Sequence, residues 1–187
     1  MKEGEAVRVI TGTARGRSLR TLEGEDVRPT TDRVKEAMFS VIQFEIEGRR
    51  VLDLFAGSGQ LGIEALSRGA ERATFVDSSK ESVAVVKENL QKTGFSSKAD
   101  VVRTDALSFL RMNAGTFDTA FLDPPYSTGL LEKALDSIGE FINPGGIVIC
   151  EHPKGDELPD GTGGLEKQKE YSFGKISFTT YRKIVEE

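Results

Sequence analysis

Short apolar segments that alternate with helix-forming segments dominate the chain from residue 50 onward. Five of these segments lack proline and have the length of strands that are buried on both faces of a sheet; they are residues 51–54, 73–76, 99–102, 119–122 and 147–150. Four stretches of helical periodicity lie between them, namely residues 60–67, 79–93, 106–113 and 129–141. Because such strands pair in parallel through right-handed crossovers, we predict an α/β domain with a mostly parallel sheet and helices on both faces.

The C-terminal part of the chain departs from this alternation. Residues 169–173 and 175–181, which are separated near Gly174, are predicted to form an antiparallel hairpin at one edge of the sheet. Residues 156–164 are predicted to be a polar loop before this hairpin. We find no internal repeat and no second domain, so we expect a single domain over residues 1–187.

The N-terminal part is predicted to be an extension of this domain over residues 1–28. Its β-prone residues 7–13 and 18–21 predict a basic hairpin or arm. A helix is expected next, since Thr30 or Thr31 can accept hydrogen bonds from its first amides. The apolar residues that follow recur at the spacing of one helix face: Val34, Ala37, Met38, Val41 and Ile42.

Composition restricts the class of protein further. The 187 residues are 37% apolar and 29% charged, which is enough apolar surface for a buried core. With one cysteine, Cys150, and one histidine, His152, we expect no internal disulfide, no metal site and a reducing, cytoplasmic setting. The first ten residues carry charges where a signal peptide needs an apolar run, and no apolar stretch is long enough for a membrane span, so we expect no membrane contact.

The charge is unevenly distributed along the chain. The formal net charge is −5, which by itself argues against a nucleic-acid partner. The first 35 residues, however, hold eight basic and six acidic residues, and the rest holds 17 and 24. Residues 6–22 contain four arginines and no acid, so they concentrate positive potential where phosphates can dock. The candidates for RNA contacts are Arg8, Arg15, Arg17, Arg20, Arg28, Arg33 and Lys35.

A glycine-rich segment follows the first predicted strand of the α/β part. Gly57, Gly59 and Gly62 match the pattern G-x-G-x-x-G, which dinucleotide oxidoreductases and other nucleotide-binding proteins share. Asp53 stands four residues before Gly57, where a carboxylate would repel a pyrophosphate. A ligand with an ammonium and a sulfonium and no phosphate removes this conflict, so we expect S-adenosylmethionine as the cofactor.

Two further acidic residues follow neighbouring predicted strands. Asp77 lies 20 residues after Gly57, where it can accept two ribose hydroxyls. Asp105 can bind an adenine amino group or can cap the next helix, and both interpretations stay open. The complete set of expected cofactor-binding residues is Asp53, Phe55, Ala56, Gly57, Ser58, Gly59, Asp77, Ser78, Asp105 and Ala106.

The fourth predicted strand ends in the tetrapeptide Asp123, Pro124, Pro125 and Tyr126, called the Asp-Pro-Pro-Tyr segment below. Ligands bind beyond the carboxyl ends of parallel strands, so this segment is expected beside the glycine loop. The Asp123 carboxylate and the Pro124 carbonyl can hold the two protons of an exocyclic amino group, so that its nitrogen lone pair points at a methyl donor. Tyr126 offers a flat face on which the base can stack. We therefore expect these four residues to be catalytic.

Two sequence segments, VLDLFAGSGQLGIEALSRGA and FLDPPY, resemble those of Rossmann-like S-adenosylmethionine-dependent methyltransferases that act on exocyclic amino groups. The segments RVITGTARGRSLRT and RPTTDRVKEAMFSVI, with the C-terminal aromatic-glycine hairpin, are similar to the RsmD family, which methylates N2 of a guanine in bacterial small-subunit rRNA. The resemblance covers nearly the whole chain and is weakest over residues 156–169. It implies a seven-stranded sheet whose last strand is antiparallel, and 16S rRNA as the partner. Because a chain of 187 residues leaves little surface for a large recognition domain, we expect the rRNA to be presented within a small-subunit assembly intermediate. We expect a monomer.

The resemblance also implies roles for individual residues. It assigns Asp53, Gly57 and Gly59 to the methionine moiety, Asp77 to the ribose, Asp105 to the adenine and the Asp-Pro-Pro-Tyr segment to the target base. Phe55 stands where the general methyltransferase loop has its first glycine, a departure that amino-methylating members often share.

Three alternative functions are compatible with parts of the sequence. An adenine-N6 methyltransferase acting on DNA or another RNA would use the same Asp-Pro-Pro-Tyr segment, because the segment does not reveal the base. A nicotinamide-dependent oxidoreductase is disfavoured by Asp53 and has no use for that segment. A non-catalytic RNA-binding module would need the basic arm but not the glycine loop with its carboxylates.

Overall fold

The computed structural model describes residues 7–22 and 31–185. The helices in this part of the chain are α1 (Asp32–Val41), α2 (Gln60–Ser67), α3 (Lys80–Thr93), α4 (Ala106–Arg111) and α5 (Leu130–Ile138). The strands are β1 (Arg50–Asp53), β2 (Arg72–Asp77), β3 (Ala99–Arg103), β4 (Phe117–Leu122), β5 (Ile142–Pro153), β6 (Gly161–Thr162), β7 (Leu165–Phe173) and β8 (Ile176–Lys183). Each predicted strand and helix from residue 51 to residue 141 is present, with ends that differ by a few residues at most.

The strands form one sheet in the order β3-β2-β1-β4-β5-β8-β7-β6. The first five of these are parallel to their neighbours, as predicted, whereas β8, β7 and β6 each pair antiparallel. The sheet therefore has eight strands in the described residues, not the seven implied by the resemblance, and its antiparallel part comprises three strands.

The additional strand lies inside the predicted polar loop. Gly163 and Gly164 both have left-handed φ, 57° and 75°, and reverse the chain so that β6 pairs with the start of β7. Strand β7 begins at Leu165, four residues before its predicted start. This strand lies near the sheet edge, so most of its side chains are charged or polar and few are apolar. Its first residues therefore lack the apolar pattern from which a strand is predicted.

Two hydrophobic layers enclose the sheet, in agreement with the prediction of helices on both faces. Alternate side chains of β1, such as Val51 and Leu52, enter different layers because successive residues of a strand point to opposite faces. One layer contains α1, α2, α3 and the N-terminal segment, and the other contains α4 and α5. No helix in the described residues is both long enough and apolar enough to cross a membrane.

The predicted hairpin at residues 7–22 is not confirmed. This segment, called the arm below, has one antiparallel bridge between Arg8 and Ser18, and turns occupy most of the residues between them. Gly12 and Gly16 have φ of 92° and 82°, which interrupts an extended conformation. The arm nevertheless belongs to the core, since Val7, Val9, Ala14 and Leu19 are buried.

Candidate functional site

Four acidic side chains lie at the carboxyl ends of the parallel strands, which form one edge of the sheet. Asp53 ends β1, Asp77 ends β2, Asp123 follows β4, and Glu151 lies in the last third of β5. The register of β1 with β4 pairs Asp53 with Phe121, two residues before Asp123. The topology therefore places the glycine loop and the Asp-Pro-Pro-Tyr segment on neighbouring strands at the same edge.

The glycine loop is held by hydrogen bonds to the end of β2. The amide of Ala56 donates to the carbonyl of Val76 at 2.9 Å, and the amide of Gly57 donates to Oδ2 of Asp77 at 2.9 Å. Gly57 and Gly59 have φ of 55° and 82°, a region that L side chains rarely adopt. The loop thus requires glycine at both positions.

Asp53 is 2% exposed and accepts a hydrogen bond from the amide of Gly62 at 3.1 Å. Burial raises the pKa of Asp53 to about 7, the hydrogen bond from Gly62 opposes this, and the negative charge of Asp77 raises it further. Close packing holds this part of α2 against the sheet, because a Cβ on Gly62 would lie 2.3 Å from Cε1 of Phe75. A cation at this position would favour the ionised carboxylate.

Asp77 and Asp105 both bind amides at helix starts. Asp77 accepts from the amide of Ser79 at 2.9 Å through Oδ1, and Ser79 in turn caps α3. Asp105 caps α4 by accepting from the amide of Ser108 at 2.9 Å, so the capping interpretation is confirmed. The hydrogen bonds from Ser108 lower the pKa of Asp105, which keeps an exposed anion beside this helix start.

The remaining expected cofactor residues lie near the carboxyl ends of β1, β2 and β3. Phe55 is half-buried, Ala56 and Ser58 are buried in the glycine loop, Ser78 is exposed just before α3, and Ala106 is buried at the start of α4. The structure thus gathers the predicted loop residues near Asp77, while Asp105 and Ala106 follow the next strand outward, β3.

The Asp-Pro-Pro-Tyr segment leaves β4 in a partly exposed conformation. Asp123 and Tyr126 are half-buried, Pro124 is buried and Pro125 is exposed. The hydroxyl of Tyr126 donates to Oε1 of Glu151 at 3.0 Å, and Glu151 is only 3% exposed. We did not predict Glu151 from the sequence, although a carboxylate near the end of an apolar strand is the same signal that identified Asp53.

The predicted RNA-binding residues differ in how they are placed. Arg15 is exposed, and Arg33 is exposed with its guanidinium 5.4 Å from the ring centroid of Phe173. Three others are exposed but already bind the protein, in these pairs: Arg8 with Asp32, Arg17 with the carbonyl of Lys92, and Arg20 with Glu88. Arg28 lies outside the described residues.

Lys35 does not fit the predicted phosphate contact. It is 0% exposed, donates to the carbonyl of Arg8 at 2.7 Å, and has its Nζ 3.8 Å from Oε2 of Glu64. Burial lowers the pKa of Lys35, while Glu64 and Asp32 oppose this. The prediction for Lys35 is wrong. The sequence places this residue outside the apolar face of α1, but in the structure the arm covers it.

Two buried polar side chains hold the arm on the helices. Glu64 of α2 accepts from the amides of Ile10 and Thr11 at 2.8 and 2.9 Å, and also binds Arg68 at 3.0 Å. Asn89 of α3 binds both the amide and the carbonyl of Arg20. Asn89 was not predicted as a contact of the arm, although a polar residue on the apolar face of a helix is a sequence signal for such a contact.

Among residues 7–22 and 31–185, no group of three or more His, Cys, Asp or Glu side chains could hold a metal ion.

Cys150 is a buried, free thiol in β5. Burial raises the pKa of this thiol well above its usual range.

The mostly parallel sheet with helices on both faces has the α/β fold of solved methyltransferase structures. The solved structure of Escherichia coli yhhF superposes with a TM-score of 0.84 at 31% identity, covering 97% of this chain and 100% of that one.

A family model described as "Conserved hypothetical protein 95" matches residues 7–182. A Haemophilus influenzae relative named ribosomal RNA small subunit methyltransferase D is 39% identical over 94% of this chain and 93% of its own length. Bacillus subtilis YlbH is 41% identical over 95% of this chain and 99% of its own length. The chain therefore belongs to the RsmD family.

Proposed function

We propose that this protein transfers a methyl group from S-adenosylmethionine to the exocyclic N2 of a guanine in 16S rRNA. One observation carries the proposal: the buried carboxylate of Asp53, at the end of β1, and the Asp-Pro-Pro-Tyr segment, after β4, lie at the carboxyl ends of neighbouring strands. A donor with a positive charge and an amino-group acceptor can therefore meet there. The family resemblance and the named H. influenzae relative supply the rRNA part of the proposal.

The residues around the glycine loop fit a cationic ligand. Asp53 is a buried carboxylate, and its pKa is raised to about 7 because burial disfavours its charge. Oε1 of Gln60, directly after Gly59, is buried, and within the described residues it is the single buried side-chain oxygen or nitrogen that lacks a hydrogen-bond partner. Acceptors of this kind suit an ammonium group and would repel the pyrophosphate of a dinucleotide. Gly57 has open space where a side chain would stand.

The mechanism assigns positioning roles to this chain's own residues. S-adenosylmethionine supplies, when bound, a methyl group on a sulfonium sulfur. The Asp123 carboxylate and the Pro124 carbonyl accept hydrogen bonds from the amino group of the base, which turns its nitrogen lone pair toward the methyl group. Tyr126 stacks on the base, and its hydroxyl is held by Glu151 at 3.0 Å. Alignment and these fixed acceptors provide the rate acceleration.

The RNA is bound, in this proposal, by the arm and by α1. Arg15 and Arg33 are exposed, and Arg8, Arg17 and Arg20 can exchange their present partners for phosphates. The target base must be unpaired or flipped to reach the Asp-Pro-Pro-Tyr segment. We further propose that a monomer acts on an assembly intermediate in which ribosomal proteins present the base.

The test is methyl transfer from labelled S-adenosylmethionine to four substrates: assembled small subunits, naked 16S rRNA, tRNA and DNA. We expect label at guanine N2 in 16S rRNA, with more in assembled particles than in naked rRNA. Label at adenine N6 would instead support the adenine alternative. Absence of label at guanine N2 in every RNA would overturn the proposal.

Two variants separate cofactor binding from transfer. Asp53→Ala is expected to abolish S-adenosylmethionine binding in titration calorimetry, since it removes the buried anion. Asp123→Ala is expected to bind the cofactor normally and to lower kcat, because its carboxylate faces the amino group. The reverse pattern would contradict these assigned roles.

A further inference from the structure

An aromatic and cationic surface on β7 and α1 lies beside the Asp-Pro-Pro-Tyr segment. It consists of Arg33, Lys169, Tyr171 and Phe173. Glu151, which binds the hydroxyl of Tyr126, is paired in register with Phe178 of β8, and Phe178 is paired with Tyr171 of β7. Neighbouring strands are about 4.8 Å apart, so Tyr171 lies two strands, or about 10 Å, from Glu151. The surface is thus adjacent to the proposed site of the target base.

The rings on this surface are nearly parallel. Tyr171 and Phe173 stack on the buried ring of Phe178 with centroid distances of 4.7 and 5.9 Å and interplanar angles of 17° and 7°. Tyr171 and Phe173 are both half-buried, so neither residue is fully covered. Flat, accessible aromatic rings are the platforms on which unpaired bases stack.

Two cations lie over these rings. The guanidinium of Arg33 in the first turn of α1 is 5.4 Å from the centroid of Phe173, and Nζ of Lys169 is 4.9 Å from that of Tyr171. Both cations are exposed, and Lys175 in the turn between β7 and β8 is exposed as well. The acid in the first turn of α1, Asp32, is paired with Arg8. The surface therefore offers positive charge together with ring faces.

Packing requirements of the fold do not account for this composition. Strand β6 pairs only with Leu165 and Glu166, so within the described residues the rest of β7 has no strand on its outer side. A β-branched aliphatic residue at position 171 or 173 would also suit an outer strand and would cover part of Phe178. Cation–π contacts at exposed positions are weak, and hence add little to stability.

We infer that Arg33, Lys169, Tyr171 and Phe173 bind unpaired RNA nucleotides that flank the methylated base. The flanking bases stack on the two rings in place of the two cations, which turn away from the rings and contact the phosphates. This inference rests on the proposed function for the identity of the RNA. It adds a binding surface, built from α1 and β7, to the catalytic edge and the arm.

The test compares aromatic and cationic variants of the full-length chain in binding to naked 16S rRNA across a salt series. Tyr171→Leu and Phe173→Leu keep an apolar cover over Phe178 and are expected to weaken binding about fivefold or more each, with the salt slope unchanged. Arg33→Gln and Lys169→Gln are expected to reduce the slope of log K against log salt by about 0.7 each.

Matched controls lie elsewhere on the surface. Phe44→Leu changes a phenylalanine that is 92% exposed in the connection from α1 to β1, at the opposite edge of the sheet. Lys133→Gln changes an exposed lysine of α5, on the other face. Both controls are expected to bind RNA as the wild type does, and thermal unfolding verifies that all variants are folded.

A second measurement reads stacking directly. A single-stranded RNA with 2-aminopurine beside the target guanine is expected to lose fluorescence on binding, and this loss is expected to diminish in Phe173→Leu but not in Phe44→Leu. Folded aromatic variants that bind RNA and quench 2-aminopurine like Phe44→Leu would overturn the inference, even if the wild type methylates guanine. Weakened RNA binding by these variants would support the inference. A wild type that transfers no methyl group to RNA would contradict only the proposed function.

Discussion

The side-chain amide of Asn89 donates a hydrogen bond to the carbonyl of Ser58, in the middle of the glycine loop, at 2.9 Å. The same amide binds the arm at Arg20, where it donates to the carbonyl at 2.9 Å and accepts from the amide at 2.8 Å. Asn89 is 0% exposed, so its side chain makes these bonds away from water. One buried side chain thus connects the proposed RNA-binding arm with the proposed cofactor loop.

We therefore predict that Asn89→Ala weakens both S-adenosylmethionine binding and stability. The change leaves the amide of Arg20 and the carbonyls of Arg20 and Ser58 without this partner, at a cost of about 1–3 kcal/mol for each buried group that stays unsatisfied. Titration calorimetry and urea unfolding measure the two effects. Gln91→Ala, an exposed position on the same helix, is the control. Cofactor affinity equal to that of the control would show that the bond to Ser58 does not position the loop.

Asp53 is expected to make stability depend on pH in an unusual direction. Its pKa rises from 3.8 to about 7 on folding, so between these values the folded state binds more protons than the unfolded state. The free energy of unfolding should then fall as pH rises through this window, by up to about 1.4 kcal/mol per pH unit. Asp53→Asn has no ionisable group and should lack this decline. Urea unfolding between pH 4 and pH 8 tests this, and parallel curves for the two proteins would contradict it.

The glycine loop, its flanking strand and α2 could be predicted from sequence because their causes are local. Buried parallel strands are short apolar runs, and glycines at left-handed φ fix the turn, so α2 begins and ends at the predicted residues 60 and 67. Asp53 and the Asp-Pro-Pro-Tyr segment could be placed beside each other for the same reason, since one lies near the end of a predicted strand and the other directly follows one.

The arm and Lys35 could not be predicted because their partners are distant in sequence. The amides of Ile10 and Thr11 bind Glu64, more than 50 residues away, instead of a partner strand in a hairpin. Lys35 is buried against Glu64 and the carbonyl of Arg8, a pairing that no periodicity indicates. Tertiary contacts of this kind override local propensity.

Tyr126 and Glu151 are expected to be energetically coupled. Tyr126→Phe removes the hydroxyl that donates to Oε1 of Glu151 but keeps the ring on which the base stacks. We predict that the variant loses about 1–3 kcal/mol of stability, because a buried carboxylate loses a donor, and that kcat falls while RNA affinity is retained. A double-mutant cycle with Glu151→Gln measures the coupling. Additive effects would show that the two side chains act independently.

Lys35 and Arg15 are expected to affect RNA binding in different ways. Lys35→Met keeps the aliphatic stem but removes the ammonium from beside Glu64, and breaking a buried ion pair costs about 3 kcal/mol or more. Since Lys35 is not accessible to phosphate, the salt dependence of RNA binding should remain that of the wild type even where affinity falls.

Arg15→Gln, at an exposed position, should leave stability within about 0.5 kcal/mol and reduce the salt slope by about 0.7. Filter binding to 16S rRNA over a salt series, with urea unfolding of each variant, separates the two cases. A reduced salt slope for Lys35→Met would mean that this lysine reaches the RNA after all, and thus that the arm is displaced when RNA binds.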